Sequence, residues 1–187
     1  METYEAIVTR RSVPKARAGR VPTREQIERL LAAAVRAPNH HLSQPWRFVV
    51  LTDEALDAFA HAWARGAARE GSDTSGIAAK AHRAPVIVVV VERPRLGNPK
   101  VVEIEEHHAV GAAMQNILLA AHDMGLGAML RTGPAARLAE VGEYLGMDAD
   151  EFVAGFVYLG FPPEGDDRRP MSRRTEADDV TEWRGWE

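Results

Sequence analysis

Arg10-Arg11-Ser12 places two guanidiniums and a hydroxyl side by side where a short helix gives way to a basic loop. Such a group can grip a phosphate dianion through charge-assisted hydrogen bonds. An arginine pair at a helix C-terminus also complements the helix dipole, so alone the trio has a purely structural reading as well. A second concentration of chemistry runs from Arg36 to Phe48, where a helix empties into a proline-bracketed polar loop. There Asn39, His40 and Gln44 can donate to and accept from the edge of a heteroaromatic ring, while Pro38, Pro45 and Trp46 offer flat apolar walls. An ordinary turn with a packed tryptophan is the competing reading. The third candidate is the stretch from Gly125 to Pro134, a glycine turn, a short strand and another glycine turn that carries Arg131 and Thr132. It is no dinucleotide fingerprint, because Leu130 stands where the third glycine belongs and no strand precedes Gly125. Its glycines let backbone amides approach a flat ligand.

Glu105 and His108 have the E-x-x-H spacing of di-iron helix bundles. That chemistry needs a second such pair and two further glutamates on other helices, and the sequence has no second pair, so no metal is expected and a solvated helix face is the simpler reading. His61, His82 and His122 read as surface or core histidines rather than ligands.

The elements that must position these residues follow from spacing. Thr3 to about Arg10 forms a short helix with Tyr4, Ile7 and Val8 on one side, and Pro14 to Pro22 is a basic loop. Thr23 and Gln26 make a capping box for a helix whose inner face is Ile27, Leu30, Leu31, Ala34 and Val35, ended by Pro38. Arg47 to Leu51 is a strand, and Asp53 caps a helix burying Leu56, Phe59, Ala60 and Trp63. Residues 66–76, small, polar and glycine-interrupted, are expected to be mobile. Pro85 to Val91 is β-branched at nearly every position and suits a central strand covered on both faces. The longest helix spans about Glu103 to Met124, with Val110, Met114, Ile117, Leu118 and Ala121 inward, Gly125 as its C′ residue, and Ala109, Gly111, Ala112 and Ala113 small enough for close helix approach. Ala128 to Leu130, Pro134 to Leu145 and Phe152 to Leu159 read as strand, helix and strand. These elements lack a strict βαβ rhythm, and the expected class is α+β with a central mixed or antiparallel sheet flanked by helices.

The chain of 187 residues, 45% apolar, suits a single domain with a substantial core. It has no cysteine, which excludes disulfides, thiolate metal sites and cysteine nucleophiles, so redox chemistry requires a bound cofactor. The longest aliphatic run, Val86 to Val91, is far too short for a bilayer, and Met1 leads into acidic residues rather than a signal peptide; no membrane partner and a cytoplasmic location are expected. Net charge is −4, yet residues 1–36 hold eight Arg and Lys against four Glu, leaving −8 on the remainder. That asymmetry calls for an anionic partner near the N-terminus. Nucleic acid is the weaker choice, because the segment from Arg10 to Arg24 lacks interleaved aromatics and the whole chain is acidic. Residues 163–187 form a polar tail with Met171, Val180, Trp183 and Trp186 as its only anchors, a C-terminal arm expected to dock on a partner subunit.

The Arg-Arg-Ser of 10–12, the motif from Arg36 to Phe48, the Leu-Arg-Thr-Gly of 130–133 and the Gly-Phe-Val-Tyr-Leu-Gly-Phe-Pro of 155–162 together resemble the nitroreductase family, in its compact bacterial branch, from Tyr4 to about Pro162. The resemblance implies a homodimer paired through its long central helices, with FMN in clefts lined by both chains. By that analogy Arg10 and Ser12 hold the phosphate with Arg11 close by. Arg36 and His40 reach the flavin from the opposite chain, and Leu130, Arg131 and Thr132 complete the pocket beside ring and ribityl chain. Arg173 or Arg174 corresponds to a C-terminal basic residue near the phosphate in larger relatives. The family's lysine at the pyrimidine edge is blurred here by Pro14 and Lys15. The implied activity is ping-pong hydride transfer at flavin N5 from NAD(P)H to a small nitroaromatic, quinone or similar acceptor, with no side chain as nucleophile. A specialised dehydrogenase or dehalogenase of the same fold, and a non-catalytic FMN-binding protein, are the alternatives.

Overall fold

The computed structural model describes residues 1–95, 97–166 and 173–186. Its organising element is a strand that needs cover on both sides. β2 (Val86–Glu92) is buried at every position, and it lies inside a four-stranded sheet of order β1-β2-β4-β3 with β1 (Trp46–Thr52), β3 (Gly127–Arg131) and β4 (Phe152–Gly160). All three pairings are antiparallel. The one parallel contact among the described residues is the isolated bridge of Ser12 to Ala128, so the expectation of a mixed or antiparallel sheet resolves to antiparallel.

Alternation along β2 divides the core in two. Val86, Val88 and Val90 pack with α2 (Arg24–Ala34) and α5 (Glu103–Asp123). Ile87, Val89 and Val91 face α3 (Glu54–Arg69), α4 (Ile77–Ala81) and α6 (Ala139–Tyr144). The molecule is therefore three layers, helix on sheet on helix, and α1 (Thr3–Thr9) lies against α5 with only Ala6 buried. Tyr4, Ile7 and Val8 face outward. No described helix is long and apolar enough to cross a membrane.

Local chemistry fixes the two helices nearest the site. The Thr23 hydroxyl accepts from Gln26 N–H at 3.2 Å while the Gln26 side chain accepts from Thr23 N–H at 2.9 Å, the reciprocal capping box. α2 then ends at Ala34, which leaves Leu31 half-buried and Val35 exposed, a narrower inner face than the spacing predicts. α5 closes as expected: Gly125 takes φ +69, its N–H donates to the His122 carbonyl, and Leu126 N–H donates to the Ala121 carbonyl at 2.8 Å. That is a Schellman closure, and it aims the chain into β3.

Four expectations are corrected. Residues 66–76 do not form one loose stretch: α3 runs to Arg69, and α4 starts at Ile77. The cause is Gly66, against which Leu138 is seated so closely that an added Cβ would lie 2.9 Å from Leu138 Cβ. The same contact breaks the helix expected over 134–145 into a 3₁₀ turn, Pro134–Arg137, and α6, with Leu138 extended between them. Asp53 precedes α3 with φ +47 but makes no side-chain cap. Trp46 is no outward wall; it is buried in the core on the α5 side.

β1 is tied to the turn before β4 by Arg47, whose Nε and Nη2 donate to the Glu151 carboxylate at 2.9 and 2.7 Å. These hydrogen bonds hold the Glu151 pKa below the ordinary carboxylate value. A depressed native pKa contributes stability above the unfolded value, and that stability is lost as pH falls through the native one. Unfolding stability measured by urea should therefore decline below about pH 4.5, the reference carboxyl value, and Glu151→Gln should flatten that decline. Thr23→Ala should cost about 1 kcal/mol in the same assay at neutral pH.

Candidate functional site

The loop after α2 is built around a buried charge. Glu106, on the inner stripe of α5, has 0% exposure. Its Oε1 accepts from the Ser43 hydroxyl at 2.6 Å and its Oε2 from the Arg95 amide at 3.1 Å. A carboxylate withdrawn from water must be satisfied in this way, and the loop is pinned as a result. Asn39 closes the loop on itself: its Oδ1 accepts from the Gln44 amide at 3.0 Å and its Nδ2 donates to the Ala37 carbonyl. His41, Leu42 and Gln44 sit at φ +52, +52 and +48, conformations that cost non-glycine residues on the order of 1 kcal/mol each. What the loop presents outward is His40, 3.4 Å from Glu105, and exposed Gln44, with Arg36 exposed at the end of α2. Asn39, expected to meet a ligand, has its side chain engaged in shaping the loop instead.

The second cluster lies where α1 ends. Val13 N–H donates to the Ala128 carbonyl at 2.9 Å, and together with the Ser12 bridge this lashes residues 10–13 to β3. Arg11 pairs with Asp166 at 3.3 Å. Arg10 is half-buried and forms no ion pair among the described residues; burial lowers its pKa, and the nearby Arg174 lowers it further. His122, in the last turn of α5, is likewise lowered by burial and then by Arg10 and Arg11, and its Nε2 lies 2.9 Å from the Thr9 hydroxyl. Cations held together against their own repulsion mark a seat for an anion. Beside it, Arg11, His122, Gly127 and Asp166 bound a hollow of about 340 Å³. Arg173 is exposed, and only Arg174 is brought to Arg10.

β3 continues from this cluster. Leu130 packs on the α5 side of the sheet, where Gly155 leaves room for it: a Cβ there would come within 2.7 Å of Leu130 Cδ1. Thr132 is exposed just past the strand. Arg131 points to the opposite face, its guanidinium carbon 5.6 Å from the Tyr158 ring, so its side chain and that of Leu130 lie on opposite sides of the sheet.

A single chain does not bring the two clusters together. His40 stands next to Glu105 and Arg10 next to His122, and the 17 helical steps from Glu105 to His122 along α5 span about 25 Å. Sequence reasoning missed Glu106, His122 and Asp166. Glu106 carried a usable signal, since it shares the buried helical stripe of Val110, Ala113 and Ile117. Among the described residues no three His, Asp or Glu converge as a metal site would require.

The profile of the Nitroreductase family matches residues 7–161. The chain belongs to the nitroreductase family. YdjA of Escherichia coli (strain K12), provisionally named an NAD(P)H nitroreductase, is 34% identical over 165 residues, covering 87% of this chain and 89% of its own. An Archaeoglobus fulgidus protein, provisionally named an NADH dehydrogenase or NAD(P)H nitroreductase, is 30% identical over 183 residues, 96% of either chain. Among solved structures, a nitroreductase-like family protein from Bacillus cereus superposes with a TM-score of 0.84 at 21% identity, covering 100% of this chain and 97% of that one. A provisionally named nitroreductase from Desulfovibrio desulfuricans, solved in complex with FMN, does so at 0.77 with 25% identity over 100% and 99%. This nitroreductase-family fold is thus α+β, with the sheet and helix layers found in its structural neighbours.

Ser43→Ala removes the hydroxyl that satisfies Glu106 and should cost about 1–3 kcal/mol in urea unfolding. Hydrogen exchange should accelerate at the amides of residues 39–44 and leave β2 unchanged.

Proposed function

We propose that the chain is an FMN-dependent NAD(P)H oxidoreductase, acting as a homodimer in which α5 of one protomer lies antiparallel to α5 of its partner. The observation that carries this reading is the half-buried Arg10, crowded by Arg174 and His122 and without an ion-pair partner among the described residues. A terminal phosphate suits that seat in charge and in donor geometry. The FMN complex of the Desulfovibrio relative and the NAD(P)H named for YdjA support the cofactor and the donor.

Antiparallel pairing places the Glu105 end of one α5 beside the His122 end of the other. The outward stripe of α5 permits it, since Ile104, His108 and Gln115 are exposed and a Cβ on Gly111 would meet nothing within 4 Å. Arg36 and His40 of one protomer then face Arg10, Ser12 and Leu130 of its partner across a shared cleft.

When bound, FMN would supply at N5 the hydride-accepting chemistry that couples a nicotinamide donor to a small nitroaromatic, quinone or similar acceptor. The chain's part is positional. Arg10, Ser12 and Arg174 hold the phosphate; Arg36, His40 and Gln44 offer donors to the ring edge; Leu130 and Thr132 border the ring and ribityl chain. Cations at the pyrimidine edge stabilise negative charge that develops there, and the exposed loop leaves one face for donor and acceptor in turn. No side chain acts as nucleophile.

The C-terminal arm completes the dimer in this reading. Trp183 and Trp186 are 65% and 80% exposed and touch each other edge to face at 6.0 Å, rather than docking on their own domain. Met171, a further expected anchor, lies outside the described residues.

Purified protein should be yellow and release FMN on heating, and NADH or NADPH should bleach it within the mixing time of a stopped-flow experiment. Arg10→Ala should lower FMN occupancy, at a cost of about 1.5–3 kcal/mol for the lost charge-assisted contact; unchanged flavin absorbance refutes the phosphate assignment. Removing residues 175–187, which spares Arg174, should shift sedimentation toward monomer, and an intact dimer would reject the arm's role.

A further inference from the structure

The cationic cluster after α1 sets an imidazole among permanent guanidiniums. Arg10 and Arg11 are charged at every physiological pH, whereas His122 can carry its charge or shed it. One chain of hydrogen bonds decides where its proton moves. The Thr9 hydroxyl donates to the Glu5 carbonyl at 2.6 Å, and a carbonyl can only accept. Thr9 has no second proton to give, so its oxygen accepts from His122 Nε2 across the 2.9 Å between them. Nε2 therefore carries hydrogen in both charge states, and Nδ1 is the nitrogen that gains or loses one. Nδ1 has no hydrogen-bond partner among the described residues, and the ring lines the hollow of about 340 Å³, through which solvent can reach it.

The chain's own groups disfavour charge on this ring. Burial lowers its pKa most, Arg10 and Arg11 lower it further, and Asp123 and Glu5 oppose them more weakly. Those acids do little because nearby cations already engage the stronger one: Asp123 lies 2.8 Å from the Met1 ammonium and is faced by Arg29 of α2. Asp166 is paired with Arg11, and Arg174 faces Arg10. The position of His122 in the last turn of a 21-residue helix works the other way, since the partial negative charge at that end favours an imidazolium. A dianion on Arg10, Ser12 and Arg174 would offset the guanidiniums and leave every remaining influence except burial in favour of the charged ring.

We infer that His122 is a charge-adaptive residue of the phosphate seat, neutral beside the guanidiniums alone and protonated at Nδ1 as a phosphate dianion arrives, so that cofactor binding and proton uptake are one event. This rests on the flavin reading of the cluster. One proton passes from the buffer to Nδ1, and no bond in the cofactor changes. A permanent cation at this place would add to the repulsion that Arg10 already bears. An imidazole instead supplies its positive charge together with the counter-charge.

The test is calorimetric titration of FMN into the full-length protein freed of flavin, at pH 7.5 in Tris and in HEPES, two buffers of different ionisation enthalpy. A phosphate monoester with its second pKa near 6 is already a dianion there, so uptake must come from the protein. The two enthalpies should differ by the amount that corresponds to about 0.3–1 proton taken up per FMN, and the FMN Kd should weaken about two- to tenfold from pH 6.5 to 8.5. His122→Gln, whose amide can still donate to Thr9, should lose most of the uptake and of the pH dependence. Equal enthalpies in the two buffers for the unsubstituted protein overturn the inference, and so does undiminished uptake in His122→Gln, which would place the proton elsewhere. Failure of FMN to bind at all is a different result, visible in the flavin absorbance, and overturns the phosphate assignment and this inference together. Circular dichroism verifies that the variant is folded.

Discussion

A stiff helix of 21 residues cannot bend its two ends together, and that constraint governs this molecule. α5 carries the pinned loop near its first turn and the cationic cluster near its last. The groups proposed to hold the flavin are thereby split into two half-sites, one beside Glu105 and one beside His122. The split is stable because the inner side of the helix is committed: Ala109, Val110, Ala113, Ile117 and Ala121 are buried against the sheet and α2, and Asn116 Nδ2 donates to the Ala33 carbonyl at 3.1 Å. A site assembled from such halves requires a second copy, so in the proposed dimer self-association and cofactor affinity are one equilibrium seen from two sides.

Sequence reasoning succeeded where the deciding interaction was local. The α2 cap is a bond between residues three apart, and the end of α5 is decided by a glycine that alone tolerates φ +69. The central place of β2 follows from its own composition, since a run of β-branched residues without polar alternation has no face to give to water. The reading failed where a distant partner decided. Gly66 and Leu138 are 72 positions apart, and their contact lengthened one helix and broke another. Arg131 was read into the pocket with Leu130 by resemblance alone; alternation along β3 puts the two side chains on opposite faces, and the pairing with β4 that fixes this register is not legible in the motif. Trp46 shows the remaining ambiguity. A tryptophan beside a polar loop serves equally well as ligand wall or core filler, and nothing within the motif separates the two.

The two carboxylates that shape the site region show why charge alone is a poor guide to role. Glu106 and Glu151 are both buried and both fully bonded, the first by a hydroxyl and an amide, the second by a guanidinium fork. Neither faces a cleft. Their function is to fix backbone: one sets the loop carrying His40, the other binds β1 to the turn before β4. Arg10 and Arg131 are the reverse case: among the described residues Arg10 has no ion-pair partner and the buried Nε of Arg131 no acceptor.

The left-handed residues at 41, 42 and 44 carry an evolutionary implication. Glycine at the largely exposed Leu42 would relieve torsional strain without disturbing any packing. Glycine's larger unfolded-state entropy, about 0.5–1 kcal/mol, offsets most of that relief, so leucine can stay in a left-handed position at little net loss.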